Sequence, residues 1–403
     1  MSSSNDKIRV LRIINRFNLG GITYNVSYLS KYLPDRYMTR LIGGPEEKGE
    51  GSSLFIPESL GLEPEVLTEM QRSVNPFSDV RAYWRIRKII QEFKPHIVHT
   101  HASKAGAVGR LAAFHENVPV VVHTFHGHVF HGYFHPLITF GVKSVERFLA
   151  RRSDAIITIS QLQREDICVR HNISSLEKTM VIALGFDLLR FTADQEMKRQ
   201  SFREKYLLKE DEIAIGIIGR LAPVKDHRLF LNAFKEVIKS SGRKVKAFII
   251  GDGDLREELM AYSKSIGLVT LFGASEGAEV TFTGWIREAD VALAGCDLVA
   301  LSSLNEGTPV SLIEAQAAGR YIVTTEVGGV RDILHPDCGR MSAPGDLSGF
   351  TSNLMHAVEE WEKVSALAGS ASAAVLEKYS YSRLCRDMDG LYQELLRQKG
   401  LIE

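Results

Sequence analysis

Residues 213–231, IAIGIIGRLAPVKDHRLFL, have the pattern of a buried β-strand that passes through Gly219 into an amphipathic helix. This strand–glycine–helix junction is typical of a parallel sheet, in which each helix start leaves backbone N–H groups free to bind an anion. Arg220 and Lys225 lie in the junction, where a planar guanidinium and an ammonium can together hold a diphosphate. Ordinary solvated surface charge is the alternative interpretation, because most Lys and Arg side chains are exposed.

A second junction of the same kind lies near the N-terminus. The strand pattern of residues 8–14 is followed by Gly20 and Gly21 and then by a helical pattern. Glycines at this position let a ligand approach the backbone, although a tight turn without a ligand explains them equally well. Two such junctions in separate halves of the chain favour two sheets over one large doubly wound sheet.

Short apolar, β-branched segments alternate with amphipathic segments along the chain, which predicts an α/β fold with parallel sheets covered on both faces. Strand patterns occur at 8–14, 97–100, 118–124, 155–159, 213–218, 246–250, 280–282, 298–301 and 321–324. Helical patterns occur at 24–33, 80–93, 105–116, 139–151, 229–239, 255–266, 310–318, 350–361 and 381–398. We predict two Rossmann-like domains, 1–190 and 191–380, with the segment 381–403 packing back on the first.

The composition is typical of an ordinary globular protein. The 403 residues include 49 Lys and Arg, 49 Asp and Glu, and 44% hydrophobic residues, which argues against bulk disorder and against a basic nucleic-acid-binding protein. The four cysteines have no CxxC spacing, and no segment resembles a signal peptide or membrane span, so we predict a cytoplasmic protein. Up to Arg190 there are 24 basic and 18 acidic residues, against 25 and 31 afterwards, so the two predicted domains differ in charge.

The most informative segment is residues 302–330, SSLNEGTPVSLIEAQAAGRYIVTTEVGGV, in which seven residues separate Glu306 from Glu314. We expect a helix to open at Thr308 with Pro309 in its first turn, because proline is favoured at a helix start. Glu306 would then lie in the preceding loop, and Glu314 would lie about two turns inside the helix.

This helix start would also supply hydrogen-bond donors. The N–H groups of Gly307, Thr308 and Val310 would face a ligand, since the first amides of a helix lack intrahelical acceptors. A carboxylate beside donor amides suits a polyhydroxylated ligand that carries phosphate. For Glu314 alone, a partly buried carboxylate satisfied by its own neighbours is the alternative interpretation.

A histidine-rich stretch lies in the first half of the chain and is interleaved with aromatic residues. The histidines are His99, His101, His123, His126, His128, His131 and His135, and the aromatic residues are Phe125, Phe130, Tyr133 and Phe134. Imidazoles bind zinc, copper or nickel, but acidic co-ligands are missing nearby, so we predict no metal site. We expect some of these histidines to line a cleft as hydrogen-bond donors against an apolar wall, and most of them to be locally satisfied or exposed.

The predicted helix Arg81–Lys94 is basic and amphipathic. Together with Arg36, Arg40, Arg151 and Arg152 it would form a patch that faces an anionic membrane. The solvated outer face of a helix that covers a sheet is an equally good interpretation. A peripheral contact of this cytoplasmic protein with the inner face of the cell membrane therefore stays open.

Taken together, these motifs resemble the GT-B glycosyltransferases, and specifically the large retaining family 4. The segment from Glu306 to Glu314 resembles the E-x7-E signature of that family. Arg220 and Lys225, after Gly219, resemble its diphosphate-binding pair. The resemblance covers most of the chain, and the combination of motifs carries it more than any single one.

Further segments resemble the same family in both halves of the chain. Residues 249–259 (IIGDGDLREEL), which contain Gly251, and residues 282–286 (FTGWI) resemble donor-domain segments that approach the nucleotide. The Gly20–Gly21 pair and His126–Gly127 resemble elements of the active site in the acceptor domain.

The resemblance implies transfer of a hexosyl or N-acetylhexosaminyl group from a nucleotide diphosphate sugar, by family habit a UDP-sugar, with retention of configuration. The acceptor would be a saccharide or a lipid-linked hydroxyl in cell-surface polysaccharide or glycan biosynthesis. The two Rossmann-like domains would face each other across a cleft, with the acceptor domain first and the nucleotide-sugar domain second. No metal or other cofactor is expected, because Arg220 and Lys225 can supply the positive charge that other transferases take from a divalent ion.

The same resemblance implies roles for individual residues. Arg220 and Lys225 would hold the diphosphate and stabilise the charge of the leaving group. Glu306 would orient the donor sugar, and His126 would contact the sugar or the reacting centre. The other donor-binding positions implied are Gly20, Gly21, Gly219, Gly251, the backbone of Trp285 and Ile286 near the base, the amides of Gly307, Thr308 and Val310, and Glu314 at the ribose hydroxyls.

Two other functions fit a similar fold. The first is a nucleotide-sugar epimerase, against which the E-x7-E arrangement argues. The second is a catalytically silent sugar-nucleotide-binding protein, against which the complete set of Glu306, Glu314, Arg220 and Lys225 argues.

Overall fold

A computed structural model describes residues 7–18, 21–47, 51–71, 75–127 and 136–403. The chain divides into two compact units. Unit 1 comprises Met1–Phe186 together with Tyr379–Glu403, and unit 2 comprises Asp187–Lys378. The chain therefore leaves unit 1 a few residues before Arg190, where the sequence analysis ended the first domain.

The strands of both units are short and mostly buried. In unit 1 they are β1 (Ile8–Arg16), β2 (Tyr37–Gly44), β3 (Glu65–Val66), β4 (Ile97–His101), β5 (Val120–Phe125), β6 (Ala155–Thr158) and β7 (Thr179–Val181). In unit 2 they are β8 (Glu212–Ile218), β9 (Lys244–Ile250), β10 (Thr270–Phe272), β11 (Val280–Gly284), β12 (Leu298–Leu301), β13 (Tyr321–Thr325) and β14 (Gly339–Ser342).

The helices connect these strands. They are α1 (Gly21–Tyr32), α2 (Phe55–Ser59), α3 (Pro76–Phe93), α4 (Ser103–His115), α5 (Pro136–Arg152), α6 (Gln161–Glu165), α7 (Gln195–Lys205), α8 (His227–Ser240), α9 (Arg256–Ser265), α10 (Ala289–Gly295), α11 (Val310–Ala317), α12 (Val330–Ile333), α13 (Leu347–Glu359), α14 (Trp361–Tyr379) and α15 (Tyr381–Gln398). In the part of the chain that is described, no helix combines the length and apolar character needed to cross a membrane.

Each unit contains one sheet of seven described strands, and all the strand pairs are parallel. The strand order is β3-β2-β1-β4-β5-β6-β7 in unit 1 and β10-β11-β9-β8-β12-β13-β14 in unit 2. In both sheets the chain builds outward from a central strand, β1 or β8, first to one side and then to the other. The carboxyl ends of β1 and β4, and those of β8 and β12, therefore meet at switch points, where α/β sheets bind ligands.

The two faces of the first sheet are covered by different helices. Val10 of β1 packs with Leu29 of α1 and Leu391 of α15. The next residue, Leu11, packs on the opposite face with Ile86 of α3, because successive side chains of a strand point to opposite faces. The predicted return of the last helix to the first domain is therefore confirmed, since α15 completes the core of unit 1.

The polar stretch 187–212, in which the sequence analysis placed the domain boundary, is part of unit 2. It contains α7, whose Phe202 is buried with its ring centroid 5.3 Å from that of Phe248 in β9. Tyr206 joins the same apolar cluster. Phe202 and Tyr206 lie four residues apart in a mostly charged sequence, so they give α7 an apolar side that the average polarity of the stretch conceals.

Candidate active site

Lys225 and Glu306 form an ion pair at the carboxyl edge of the second sheet. The Lys225 Nζ lies 2.6 Å from Oε1 of Glu306. Lys225 ends a short 3-10 turn that follows β8, and Glu306 lies in the loop that follows β12, the neighbouring strand. The two side chains are 20% and 12% exposed, so the pair is largely shielded from water. The structure thus brings together two residues that are 81 positions apart in sequence.

Two serine hydroxyls hold the loops that carry this pair. Ser303 donates a hydrogen bond to Oε1 of Glu306 at 2.6 Å. Ser302 donates to the backbone oxygen of Lys225 at 2.9 Å. Neither serine was predicted, although two hydroxyl side chains directly after a buried strand are a signal that indicates them.

Gly328 packs against the backbone of the loop that contains Glu306. A Cβ at Gly328 would lie 1.8 Å from the backbone oxygen of Glu306, and the φ of Gly328 is +52°. The next residue, Gly329, donates its N–H to the oxygen of Gly307 at 2.8 Å. Only glycine fits this contact. The turn after β13 therefore holds the backbone at Glu306 in place.

Gly219 and Gly251 lie together at the ends of β8 and β9. The N–H of Gly219 donates to the oxygen of Ile250 at 3.0 Å, and a Cβ at Gly251 would lie 1.9 Å from the oxygen of Gly219. The close approach of the two backbones therefore explains the glycine at position 251 without a ligand.

Three further predicted residues lie at the same edge. Arg220 follows Gly219 directly, and its side chain is exposed. Trp285, which follows β11, is 65% exposed, whereas Ile286 packs against the cluster that contains Phe248. An exposed indole at a strand end offers an apolar surface to a planar ligand.

The helix after Glu306 begins later than the sequence analysis expected. It spans Val310–Ala317, and Pro309 is its N-cap, with φ −72° and ψ 101°. Thr308 is therefore outside the helix, because the residue before a proline is disfavoured in the helical region. The amides of Gly307 and Thr308 accordingly belong to the loop, and among the three predicted amides only that of Val310 lies in the first turn.

Glu314 lies on α11 and is partly buried. Burial raises its pKa to about 7, Arg190 opposes this rise, and Asp290 adds to it. Asp290 in turn pairs with Lys198 at 2.9 Å. The carboxyl group of Glu314 is therefore poised to change its charge near neutral pH. The sequence analysis missed these neighbours because they belong to residues 187–212 and to α10, neither of which was read as an element.

At the carboxyl edge of the first sheet, His126 follows β5 directly. Its Nε2 lies 2.8 Å from Nδ1 of His101, the last residue of β4. Gln163 fixes the residue after His126 by donating Nε2–H to the oxygen of Gly127 at 2.7 Å. The sequence analysis did not find Gln163, which is buried and also accepts from the N–H of Ile159.

The other described histidines of the stretch are interior residues. His99, His101 and His123 are fully buried, and burial lowers the pKa of each well below its usual value. Burial also lowers the pKa of His126, to about 3. These side chains are therefore neutral. The expectation of locally satisfied imidazoles fits His99 and His101, whereas His123 has a partner at Nδ1 and none among the described residues at Nε2. As buried residues, these three do not line a cleft.

Some predicted residues lie outside the described residues, and no arrangement is given for them. They are Gly20, His128, Phe130, His131, Tyr133, Phe134 and His135. Gly21, by contrast, is the first residue of α1. Among the described residues, no three or more His, Cys, Asp or Glu side chains are grouped as metal ligands would be.

A buried arginine lies beside the histidines of β4. Arg12 of β1 is fully buried, and its Nη1 lies 3.0 Å from Nδ1 of His99 and 3.4 Å from Nε2 of His101. The hydroxyl of Tyr392 in α15 also lies 2.6 Å from Nδ1 of His99. The sequence analysis missed Arg12, because an arginine within an apolar strand pattern gives no sign of what it faces.

Two arginines of α3 form ion pairs with acidic residues outside the helix. Arg87 pairs with Glu116 at 2.6 Å, and Arg85 pairs with Glu65 at 3.2 Å. Elsewhere in the predicted patch, Arg40 pairs with Glu65 and Arg36 pairs with Asp389. The structure thus favours the solvated-face interpretation for these cations.

The sequence matches models of two protein families. The model described as glycosyltransferase family 4 matches residues 19–190, and the model described as glycosyl transferases group 1 matches residues 212–360. The chain belongs to the family 4, group 1 glycosyltransferases. The two matches fall on the two units described above, with the E-x7-E segment inside the second match.

Relatives of this glycosyltransferase carry more specific names. It is 28% identical over 293 residues to the UDP-Gal:alpha-D-GlcNAc-diphosphoundecaprenol alpha-1,3-galactosyltransferase of Escherichia coli, covering 72% of this chain and 73% of that protein. It is 23% identical to the capsular polysaccharide biosynthesis glycosyltransferase CapM of Staphylococcus aureus, covering 82% and 84%.

A solved structure shows the same fold. The crystal structure of Anabaena HepE in complex with UDP superposes with a TM-score of 0.78 at 20% identity, covering 96% of this chain and all of that one. The predicted α/β fold with two Rossmann-like domains is therefore confirmed as GT-B.

Proposed function

We propose that this glycosyltransferase moves a sugar from a UDP-sugar to the hydroxyl of a saccharide or lipid-linked acceptor in polysaccharide or glycan biosynthesis, with retention of configuration. The observation that carries the proposal is the Lys225–Glu306 pair at the switch point of the second sheet. The names of the relatives support it, since one uses UDP-Gal and a diphosphoundecaprenol-linked acceptor, and another makes capsular polysaccharide.

The donor would bind at the carboxyl edge of the second sheet. Arg220 and Lys225 would hold the diphosphate, because both cations follow β8 at the strand end where α/β folds bind phosphates. Glu314 would accept hydrogen bonds from the ribose hydroxyls. The backbone at Trp285 and Ile286 would approach the base.

The chemical step is the departure of the diphosphate from the anomeric carbon. Negative charge then grows on the phosphate, where Lys225, drawn from Glu306 when the donor binds, and Arg220 would stabilise it. Glu306 would bind the sugar hydroxyls and stabilise the positive charge near the anomeric carbon. The departing phosphate oxygen would take the acceptor's proton on the same face, so no protein nucleophile is required and the configuration is retained.

Two cations at the diphosphate also replace the divalent ion that phosphate chemistry often uses. We therefore propose that transfer proceeds without a metal. Glu306 is already paired with Lys225 and with the Ser303 hydroxyl, so this carboxylate is arranged for hydrogen bonding.

The acceptor would bind to unit 1, where His126 donates a hydrogen bond to a substrate oxygen. A lipid-linked acceptor would bring the protein to the membrane surface. The outer face of α3, α4 and α5 suits such contact, because Trp84 is 58% and Phe148 is 50% exposed there. Arg152 stacks on Phe148, so cation and aromatic ring lie together as at membrane interfaces.

The proposal is tested by a donor screen. Purified protein is incubated with UDP-, GDP- and ADP-sugars and an acceptor pool, nucleotide release is measured, and the product is identified by mass spectrometry and by NMR of its anomeric centre. We expect UDP release, mass gain of the acceptor and a retained anomeric configuration, all unaffected by a chelator. An inverted product contradicts the retaining mechanism. An isomerised donor formed without acceptor indicates an epimerase, and donor binding without turnover indicates a silent binding protein.

A further inference from the structure

We propose that Arg12 is a positioning residue that acts through His101 to hold His126 with its proton on Nδ1. This inference rests on the proposed function only for what His126 does to a substrate. The tautomer itself follows from the contacts inside unit 1.

Arg12 can only donate hydrogen bonds from its buried position. Its side chain is fully buried, and its Nε and Nη2 have no hydrogen-bond partner among the described residues, which leaves Nη1 as the donor. A guanidinium only donates hydrogen bonds, so the two imidazole nitrogens that face its Nη1 must both be acceptors. These are Nδ1 of His99, at 3.0 Å, and Nε2 of His101, at 3.4 Å.

The contact with Arg12 determines the tautomer of His101 and, through it, the tautomer of His126. A neutral imidazole has one N–H and one acceptor nitrogen, so His101, which accepts at Nε2, carries its proton on Nδ1. That proton points to Nε2 of His126, 2.8 Å away. His126 therefore accepts at Nε2 and carries its own proton on Nδ1. The same logic gives His99 a proton on Nε2, which donates to the Thr124 hydroxyl at 2.7 Å.

The imidazoles of His99, His101 and His126 are neutral. Burial lowers the pKa of His126 to about 3, and Arg12 adds to burial in lowering the pKa of His99 and of His101. His99 and His101 from β4 and His126 form a row of imidazoles. The other titratable and charged groups around this row are Arg12 from β1, His123 from β5, Arg110 from α4, and Tyr392 and Cys385 from α15. Arg12 acts electrostatically on His99 and His101, whereas Arg110 acts on His123, and both are cations.

The end of this row is a donor with no partner among the residues that the structure describes. Nδ1 of His126 is buried and has no hydrogen-bond partner among the described residues. A buried polar atom without a protein partner can be completed by a ligand or by water. A fixed N–H at this place suits an oxygen of a sugar or of a phosphate. It does not suit the role of a general base, because a nitrogen that already carries a proton cannot take another without becoming charged.

The tautomer can be read directly by NMR. Protein labelled with ¹⁵N only in histidine gives a long-range ¹H–¹⁵N spectrum that distinguishes Nδ1–H from Nε2–H, and the His126 signals are assigned by their loss in His126→Asn. We expect the Nδ1–H form at neutral pH in the unsubstituted protein. An Nε2–H form, or a charged imidazole, would overturn the proposal without any variant of Arg12.

Variants of Arg12 test the cause. In Arg12→Met we expect His126 to populate both tautomers, whereas Arg12→Lys keeps a buried donor and should keep Nδ1–H. In the double variant Arg12→Met/His101→Asn, the Asn amide replaces the Nδ1–H donor of His101, so the His126 tautomer should be restored. Arg110→Met is the matched control, because Arg110 is equally buried but pairs with Glu146. An unchanged tautomer in Arg12→Met contradicts the proposal.

Kinetics then separate this inference from the proposed function. We expect Arg12→Met to lower kcat by up to about 10²-fold, the effect of losing one preorganised donor, and the double variant to recover part of it. The KM of the donor should stay unchanged. The NMR signals need no substrate, so a protein without transferase activity would contradict the proposed function and leave the tautomer test intact. A shifted tautomer with unchanged kcat would overturn the positioning role.

Discussion

The Nζ of Lys225 lies 2.6 Å from Oε1 of Glu306, so the cation and the carboxylate of the candidate site neutralise each other. On the proposed function, a donor would separate them, because the diphosphate attracts Lys225 and the sugar hydroxyls attract Glu306. Part of the binding free energy would then be used to break this ion pair. The two residues should consequently respond differently to UDP, which has the diphosphate and lacks the sugar.

Removing each partner should therefore give opposite effects on UDP affinity. We expect Lys225→Met to weaken UDP binding, because the diphosphate loses a cation. Glu306→Gln should bind UDP equally well or more tightly, because Lys225 is released from its carboxylate partner. Both variants should lower kcat, by about 10²- to 10³-fold if each removes one preorganised electrostatic contact. Calorimetry with UDP and initial rates with the donor measure the two effects.

An exposed ion pair of the same unit provides the control. Arg228 pairs with Glu258 at 2.7 Å, and both side chains are about half exposed. Glu258→Gln should leave UDP affinity and kcat unchanged, since an exposed pair contributes little. Near-native transfer by both Lys225→Met and Glu306→Gln would show that their assigned roles are wrong.

The raised pKa of Glu314 predicts a pH-dependent donor affinity. Because burial raises this pKa from 4.5 to about 7, the ionised fraction increases as the pH rises through neutrality. If the ribose hydroxyls donate to the carboxylate, the KM of the donor should fall between about pH 6 and pH 8 and then level off. Glu314→Gln should abolish this change. Asp290→Asn should move it to lower pH, because Asp290 helps to raise the pKa of Glu314.

The same pKa also predicts an effect on stability. In the unfolded chain Glu314 loses its proton near pH 4.5, whereas the folded protein keeps it until about pH 7. Within this window the folded state binds more protons, so the free energy of unfolding should fall as the pH rises. Urea unfolding of wild type and Glu314→Gln at several pH values measures the difference. A difference that does not change between about pH 5 and pH 7 would contradict the assigned pKa.

The fold could be predicted from the sequence because the strands are buried on both faces, so that most of them are continuous apolar segments. Residues 298–301 were predicted as a strand and are β12, with the same bounds. Strands at or near the sheet edges were missed, since Glu65–Val66 and Thr270–Phe272 are too short to show a pattern. Tyr37–Gly44 was missed because Arg40 and the two glycines at its end interrupt the apolar pattern.

Within the site, the sequence indicated residues that lie next to a recognisable loop or strand end. Lys225 and Glu306 were found in this way. Arg12 was not found, because its importance depends on His101, a partner 89 positions away that only the parallel pairing of β1 and β4 brings near. The Ser303 hydroxyl bond was missed for a different reason, since it depends on the geometry of one loop.

Gly328 should be indispensable for the position of Glu306. Gly328→Ala places a Cβ 1.8 Å from the oxygen of Glu306, so the loop must move. Gly345 is a matched control, because its φ of +74° is also left-handed but its Cβ would meet no atom within 4 Å. We expect Gly345→Ala to lose about 1–2 kcal/mol of stability from the left-handed backbone alone. Gly328→Ala should lose more, and only this variant should also lower kcat.

Measurement of both variants separates backbone strain from displacement of Glu306. Stability is taken from urea unfolding in a Trp84→Phe background, in which the fluorescence comes from Trp285 and Trp361 of unit 2. Activity is taken from initial rates at saturating donor. Equal losses of stability and activity in Gly328→Ala and Gly345→Ala would show that the contact between Gly328 and Glu306 does not affect the rate of transfer.

Membrane contact should depend on cations that are not already paired. Arg81 and Arg151 are exposed in unit 1 and form no ion pair among the described residues, whereas Arg85 and Arg87 do. Each unpaired Arg near an anionic surface contributes about 1 kcal/mol. Arg81→Glu/Arg151→Glu should therefore weaken binding to phosphatidylglycerol vesicles by tenfold or more, on the order of the 2 kcal/mol that two lost cations represent.

The control is a double charge reversal in unit 2, Lys209→Glu/Lys264→Glu, which changes the net charge equally at two exposed lysines. Vesicle co-sedimentation at low and high salt compares the variants, and phosphatidylcholine vesicles show the part of binding that needs no anionic lipid. Because the attraction is screened by salt, wild-type binding should fall as the ionic strength rises. Equal losses in the two double variants would mean that net charge, and not this face of unit 1, controls the contact. Binding that changes neither with salt nor with the Arg81 and Arg151 reversals would point to exposed apolar side chains of that face, such as Trp84 and Phe148.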